Sequence, residues 1–93
     1  MYRLIPERRF EKSVERLRQG KNWSEQRVRE FLKVLASGVQ LPAICKDHQL
    51  KGDMSAHREC HIKHDLLLQY RRDEVGNMIV LVNIGSHQDL FGG

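Results

Sequence analysis

The sequence has few cysteines and no long apolar run. The chain of 93 residues contains only Cys45 and Cys60. Two cysteines are too few for a disulfide framework, so we expect two free, mostly buried thiols in a reducing compartment. No stretch approaches the roughly 20 apolar residues of a membrane helix, and the first residues, MYRLIPERRF, lack the apolar region of a signal peptide. The sequence therefore predicts a cytoplasmic protein with no membrane partner.

Internal repeats, low-complexity tracts and interdomain linkers are also missing from the sequence. A chain of this length removes somewhat over half of its unfolded surface from water, which suffices for one modest hydrophobic core. We therefore expect a single domain over residues 1–93.

Charge is distributed unevenly along the chain. Residues 1–38 hold ten Lys and Arg against five Asp and Glu, a net charge of +5. Residues 39–93 hold six Lys and Arg against seven Asp and Glu, a net charge of −1, together with all five histidines. This asymmetry indicates that affinity for a polyanion and catalytic chemistry are carried by different segments, although a solvated basic helix face would give the same charge pattern.

The basic first part of the chain has the apolar periodicity of two amphipathic helices. Phe10, Val14 and Leu17 are spaced as one helix face between Pro6 and Arg18. The second helix is predicted from the stripe Val28, Phe31, Leu32 and Leu35, with Ser24 as N-cap and Gly38 as the left-handed stop. A helical hairpin of this kind would expose Arg16, Arg18, Arg27, Arg29 and Lys33 on or near its other face.

The second part of the chain predicts a long loop followed by three strands. The loop surrounds Lys46, Asp47 and His48, and loops of this length inside a compact domain are usually functional or disordered. The strand segments are SAHRECHIKH, DLLLQYRR and MIVLVNIG, the last apolar on both faces as in a central strand. We therefore predict the α+β class: an N-terminal helical hairpin packed on a small antiparallel sheet in the order β-α-α-β-β-β, with YRLI as an additional edge strand.

Cysteines and histidines crowd into the loop and the first of these strands. Zinc favours paired short spacings, and Cys45 with His48 and His57 with His61 offer two such pairs. Strand alternation, however, directs Cys60 away from His57 and His61, which argues against a shared metal site. The same alternation separates Cys60 from its neighbour His61, which argues against a cysteine nucleophile activated by histidine.

General acid-base chemistry without a metal or other cofactor is the remaining interpretation. His48, His61, Asp65 and His87 stand in the loop or at strand ends, and strand ends that meet at one edge bring distant side chains together. Imidazole titrates near pH 6.5, so one histidine can donate a proton while another group accepts one. In RNA the 2′-hydroxyl itself can attack the adjacent phosphorus. Phe91 would then stack on a splayed base, or else close the core.

The motifs in this region resemble a known family. LPAICKDHQLKG, HRECHIKHDLLLQYR and GSHQDLFG are similar in type and interval to the YafQ-like branch of the RelE/ParE superfamily, the toxins of bacterial type II toxin-antitoxin pairs. The resemblance runs from about Leu41 to Gly92 and implies a RelE-like fold. It also implies a ribosome-dependent endoribonuclease that cuts mRNA in the A site.

The resemblance assigns roles to particular residues. It implies His87 as general acid, Asp65 as a candidate base, and His48 with His61 steadying the phosphate. The remaining residues implied to contact RNA are Phe91, Lys46 and Arg58. Strict alternation directs Arg58 away from His61, so either a β-bulge re-aims one of them or Arg58 is structural.

The resemblance also implies partners. They are mRNA, the ribosome with its 16S ribosomal RNA, and an acidic DinJ/RelB-like antitoxin that joins the toxin in a heterotetramer around an antitoxin dimer. The basic helices would meet either ribosomal RNA or the antitoxin. An alternative on the same fold is a binding toxin of ParE type, which inhibits DNA gyrase without nuclease activity and has no need of the histidine set.

Overall fold

The computed structural model of the chain describes residues 1–92. In chain order its elements are β1 (Arg3–Pro6), α1 (Arg8–Arg18), α2 (Glu25–Ala36), β2 (His48–Gln49), β3 (Arg58–Lys63), β4 (Leu66–Asp73), β5 (Met78–Gly85) and α3 (His87–Phe91). Single turns of 3-10 helix at Ala43–Cys45 and Gly52–Met54 flank β2. The predicted α+β class is confirmed, and β2 and α3 are additional short elements.

The five strands form one sheet in the order β1-β5-β4-β3-β2. Strand β1 is parallel to β5, with Arg3 opposite Met78, whereas the other neighbours are antiparallel. The expectation that the YRLI segment forms an edge strand is confirmed. Strand β5 lies between two neighbours and is buried on both faces, as Ile79 and Val80 illustrate, which explains why its sequence is apolar throughout.

The helices begin and end at residues whose chemistry fits those positions. The hydroxyl of Ser24 accepts the backbone N–H of Arg27 at 3.2 Å, which caps α2 as predicted. Gly38 follows the end of α2 with φ +82°, a conformation that favours glycine. Helix α1 begins at Arg8 because the residues up to Pro6 belong to β1.

Both long helices cover one face of the sheet. Phe10 of α1 and Leu35 of α2 pack in a cluster with buried residues of the three long strands, including Leu68, Tyr70 and Ile79. These contacts hold the helical hairpin against one face of the sheet. The side chain of Glu59 in β3 points to the opposite face. Across residues 1–92, none of the helices is long and apolar enough to cross a membrane.

Irregular pairing occurs at two points of the sheet. The β3–β4 register shifts between His61 and Lys63, and the β4–β5 register shifts between Gln69 and Tyr70. The first shift lies after His61, so it does not re-aim Arg58. Arg58 and His61 therefore lie on opposite faces of β3.

Candidate active site

A buried carboxylate lies at the centre of three histidines. Glu59 is in β3, and its side chain is only 6% exposed. Its oxygens lie 3.8 Å from Nε2 of His48, 3.9 Å from Nε2 of His61 and 3.7 Å from Nε2 of His87. These distances exceed those of direct hydrogen bonds. The carboxylate and the three imidazoles are therefore close neighbours that are not joined by direct hydrogen bonds.

Strand pairing brings these four side chains to one rim of the sheet. His48 of β2 is directly opposite Glu59 of β3, and His61 follows two residues later on the same face. Leu67 of β4 pairs with His61 on one side and with the last residue of β5 on the other. The chain thus leaves β5 close to His61, and His87 follows after one residue.

His48 is held in one tautomer. Its Nδ1 lies 2.7 Å from the carbonyl oxygen of Lys46. A carbonyl oxygen only accepts hydrogen bonds, so Nδ1 carries a proton and is the donor of this hydrogen bond. The other ring nitrogen, Nε2, faces Glu59 and is available to a substrate.

His87 is the first residue of the short helix α3, whose start is fixed by a capping box. The Asp89 N–H donates to the Ser86 hydroxyl, and the Ser86 N–H donates to the Asp89 carboxylate, both at 3.0 Å. The bond from the Ser86 backbone holds the pKa of Asp89 below its usual range. Arg16 of α1 lies 3.6 Å from the same carboxylate and connects α3 to the helical hairpin.

Asp65 acts on the backbone of His87. Its Oδ1 accepts the His87 N–H at 3.1 Å, which satisfies the first free donor of α3. Asp65 has φ +51° at the tight turn between β3 and β4, which directs its side chain towards α3. Within residues 1–92, no histidine ring nitrogen lies within 4.0 Å of its carboxylate. The contact supports a role in positioning His87, whereas the sequence suggested a candidate base.

Phe91 presents an exposed ring beside His87. The ring centroids of His87 and Phe91 are 6.1 Å apart, and those of His61 and His87 are 5.9 Å apart. Phe91 is 38% exposed and stays outside the main core cluster. Of the two interpretations offered by the sequence, the position of Phe91 favours stacking on a base over closing the core.

Lys46 and His61 share a cleft of about 350 Å³. Its other basic residues are Arg27 of α2, Lys63 and His64. Four cationic or potentially cationic side chains beside His61 suit a phosphate group. Arg27, which the sequence placed only on a solvated helix face, therefore belongs to the site's surroundings.

The side chain of Arg58 lies away from Glu59 and its three histidines. Its guanidinium donates to the Asp47 carboxylate at 3.3 Å from Nε and 3.1 Å from Nη2. The Tyr70 hydroxyl donates to the same carboxylate at 2.5 Å. Alternation along β3 thus directs the Arg58 side chain to the helix-covered face, where it forms an ion pair with Asp47, and its expected contact with RNA stays a prediction.

The cysteines and remaining histidines do not form a shared set. Cys60 is fully buried, and burial raises the pKa of its thiol, which disfavours a nucleophilic thiolate. His57 Nδ1 accepts a hydrogen bond of 2.7 Å from the buried amide of Gln69. Among residues 1–92, no three His, Cys, Asp or Glu side chains are arranged to hold a metal ion.

Basic side chains of α1 form a separate surface. Arg8, Arg9, Lys12 and Arg16 line one shallow groove. In α2 and at the end of α1 the charges are more balanced, because Arg18 and Arg29 both lie within 4.0 Å of Glu25. The groove on α1 is thus the part of the hairpin best suited to a polyanion.

Glu59 was the main residue missed by reasoning from the sequence. Alternation put it on the same face of the strand as His57 and His61, but gave it no role. Its acidic side chain between two histidines of one face was the available signal. The capping box was likewise readable in the order Ser-x-x-Asp at residues 86–89.

Fold and site together define a small α+β protein with a histidine-rich rim, and comparison with known proteins assigns it to a family. The family model described as "Bacterial toxin of type II toxin-antitoxin system, YafQ" matches residues 2–92. The chain belongs to this YafQ toxin family.

Several relatives are similar to the chain. The mRNA interferase toxin YafQ of Escherichia coli (strain K12) is 33% identical over 54 residues, which is 58% of this chain and 56% of that protein, so the match spans about half of its length. A metal-bound toxin from Helicobacter pylori is 34% identical, with TM-score 0.88 over 98% of this chain and all of that one. The toxin of the E. coli DinJ-YafQ complex is 22% identical, with TM-score 0.86 over 99% of this chain and 100% of that one, which supports the fold.

Proposed function

We propose that this protein is the toxin of a type II toxin-antitoxin pair and acts as an mRNA interferase, an endoribonuclease that cuts mRNA in the ribosomal A site. The observation that carries the proposal is the position of three imidazoles around the buried carboxylate of Glu59, with Phe91 alongside. The relative named mRNA interferase toxin YafQ supports the same reaction.

The proposed reaction is an attack of the 2′-hydroxyl on the adjacent phosphorus. Glu59, or an imidazole beside it, accepts the hydroxyl proton while the new O–P bond forms. His87 in its imidazolium form donates a proton to the departing 5′-oxygen as that P–O bond breaks. The products are a 2′,3′-cyclic phosphate and a 5′-hydroxyl. No metal or other cofactor enters this step, and each proton transfer contributes roughly 10² to 10⁴ in rate.

His48 and His61 stabilise the phosphate in this proposal in their imidazolium forms, in which Nε2 carries a proton and can donate to a phosphate oxygen. Their Nε2 atoms lie on the same side of the site as the Glu59 carboxylate, where charge develops on the phosphate oxygens. Lys46 adds a cation from the adjoining cleft. Phe91 stacks on the base next to the scissile bond and so aligns it with His87.

Dependence on the ribosome follows from how little of the site can orient a flexible RNA strand. The cleft is open, and His48 and His87 have side chains that are 53% and 60% exposed. The ribosome would hold the mRNA, while the groove on α1 meets phosphates of 16S ribosomal RNA. This arrangement supplies the alignment that the protein alone lacks.

The proposed partner that restrains the toxin is an acidic antitoxin. A DinJ-YafQ complex is known for a relative with the same fold. The net charge of +4 favours a partner of opposite charge, and we expect a heterotetramer in which two toxins flank an antitoxin dimer. The antitoxin and ribosomal RNA would then compete for basic surface.

The test is cleavage of mRNA on programmed ribosomes by the wild-type protein and by His87→Ala. We expect cleavage within the A-site codon, unaffected by a chelator, with cyclic phosphate ends. His87→Ala should be slower by about 10² to 10⁴. Rapid cutting of free RNA by the toxin alone would contradict ribosome dependence.

Growth arrest separates the nuclease from the alternative ParE-type toxin. Arrest that persists in His87→Ala, with intact mRNA in both strains and inhibited DNA gyrase, would overturn the nuclease proposal. Arrest that disappears with His87→Ala while the protein still folds supports it.

A further inference from the structure

The segment that carries His48 has little regular structure to hold it. Strand β2 consists of two residues, His48 and Gln49, at the edge of the sheet. Lys46, two residues earlier, has φ +49°, an uncommon conformation for a non-glycine residue. Interactions besides the short ladder must therefore hold the direction of the His48 side chain.

The residue between Lys46 and His48 supplies such interactions. Asp47 accepts two hydrogen bonds from the guanidinium of Arg58 in β3 and one from the hydroxyl of Tyr70 in β4. The side chain of Asp47 is 22% exposed, and Tyr70 is fully buried. Bonds to a carboxylate from charged or buried donors are among the stronger hydrogen bonds in proteins.

Alternation turns this anchor into a constraint on His48. Neighbouring residues of an extended segment project to opposite faces, so Asp47 on the helix-covered face directs His48 to the face of Glu59. The anchor also restrains the carbonyl of Lys46, which accepts the hydrogen bond from Nδ1–H of His48. Losing it would free both the direction of the imidazole and its tautomer.

The two donors of the anchor, Arg58 and Tyr70, are both held in their protonated forms. The hydrogen bonds to Asp47 raise the pKa of Arg58, and burial followed by the bond to Asp47 raises the pKa of Tyr70. Neither donor loses its proton near neutral pH.

We infer that Asp47, held by Arg58 and Tyr70, is a positioning residue that orients His48 in the active site. The expected effects on cleavage rate rest on the proposed ribonuclease function. It also assigns a role to Arg58 that needs no contact with RNA.

A double-mutant cycle tests it by cleavage kinetics on programmed ribosomes. We expect Asp47→Asn to lower kcat about 10- to 100-fold with little change in KM, because a misplaced catalytic group costs rate more than binding. In a His48→Ala background, Asp47→Asn should cost little more, since the group it orients is already absent. Equal fractional losses in both backgrounds, or no loss in either, would overturn the inference.

Matched variants separate positioning from general destabilisation. Tyr70→Phe removes one bond to Asp47 and should give a smaller loss of the same kind if Asp47→Asn fails to fold. Tyr2→Phe is the control, because Tyr2 also donates to a carboxylate, that of Glu74, at 2.7 Å but away from the histidines. It should keep wild-type kcat.

A second readout is independent of nuclease activity. Long-range proton–nitrogen NMR correlations report which nitrogen of a neutral imidazole carries the proton. We expect the Nδ1-protonated form of His48 in the wild type and a mixture of tautomers in Asp47→Asn. An unchanged tautomer would defeat the positioning role even if kinetics differed. Conversely, a wild-type protein that never cuts RNA but shows this tautomer change would defeat only the proposed function.

Discussion

Asp65 and His87 are joined by a hydrogen bond from the His87 backbone N–H to Oδ1 of Asp65, 3.1 Å long. The two residues are 22 positions apart in the chain, and the bond connects the β3–β4 turn to the start of α3. Because the bond reaches the backbone of His87, Asp65 constrains where the imidazole is without consuming either ring nitrogen.

This contact predicts different outcomes for two substitutions of Asp65. Asparagine keeps an oxygen that accepts the His87 N–H, so Asp65→Asn should retain most single-turnover cleavage activity. Asp65→Ala should lose roughly five- to tenfold, the rate equivalent of one hydrogen bond of about 1 kcal/mol. If Asp65 were instead the base, Asp65→Asn would lose as much as a catalytic substitution does, about 10² or more.

Glu59 is predicted to be required for the reaction. Glu59→Gln removes the proton acceptor at the centre of the histidines while keeping the size of the side chain, and should lower the single-turnover rate by about 10² to 10⁴. Glu74→Gln is the matched control, since Glu74 is 69% exposed and lies away from the site. If Glu59→Gln cleaved RNA as fast as Glu74→Gln, Glu59 would not be the base, and an imidazole would accept the proton.

The burial of Tyr70 leads us to expect that the free energy of unfolding falls at alkaline pH. Burial raises its pKa above the ordinary value near 10, so the unfolded chain releases the hydroxyl proton before the folded protein does. The stabilisation is complete below about pH 10 and declines as pH rises beyond it. Urea unfolding from about pH 8 to pH 11 should show a smaller decline for Tyr70→Phe than for the wild type. Equal declines would contradict this origin; the buried Cys60 thiol contributes to both proteins alike.

The groove on α1 predicts a salt-dependent interaction with ribosomes. Lys12→Ala should weaken binding and reduce the slope of log affinity against log salt by about 1, since one phosphate contact is lost. Arg18→Ala is the control, because Arg18 is paired with Glu25 at 2.6 Å. Binding measured over a series of salt concentrations should leave the Arg18→Ala slope closer to that of the wild type. If Arg18→Ala changed the salt slope more than Lys12→Ala does, the ribosome-binding surface would lie at the end of α1 and not in the groove.

Truncating a side chain of the hydrophobic core should lower the free energy of unfolding, whereas truncating an exposed one should not. Leu68 is fully buried in β4, and Leu68→Ala should lower the free energy of unfolding by about 2–5 kcal/mol. Val75 is fully exposed in the β4–β5 turn, and Val75→Ala should change it by less than about 0.5 kcal/mol. Denaturant titrations of both variants measure their free energies of unfolding. A similarly small change in both would show that Leu68 is not part of the packed core.

Regular patterns in the sequence were sufficient to predict the helices and the long strands. Apolar spacing located α1 and α2, and the Ser24 cap and the Gly38 stop are where the sequence indicated. Alternation put Glu59 and His61 on one face of β3. These features depend on local propensity and on periodic burial, which neighbouring residues determine.

The chemistry of the site could not be predicted as fully, because it depends on contacts distant in sequence. The role of Glu59 depends on where the two residues of β2 pair, and neither composition nor spacing determines that register. Arg58 was expected at RNA, yet its partners Asp47 and Tyr70 are 11 residues away and in another strand, respectively. Asp65 likewise meets His87 only after β4 and β5 have paired.

The parallel pairing of β1 with β5 has a consequence for the order of assembly during synthesis. Arg3 and its neighbour Met78 are 75 positions apart, so β1 emerges from the ribosome long before the strand it needs. Early chains can form the hairpin of α1 and α2, but closing such a distant pair is slow and comes late. The sheet therefore cannot be completed before β5 has been synthesised, and the histidine rim cannot be assembled before His87, which lies two residues beyond that strand.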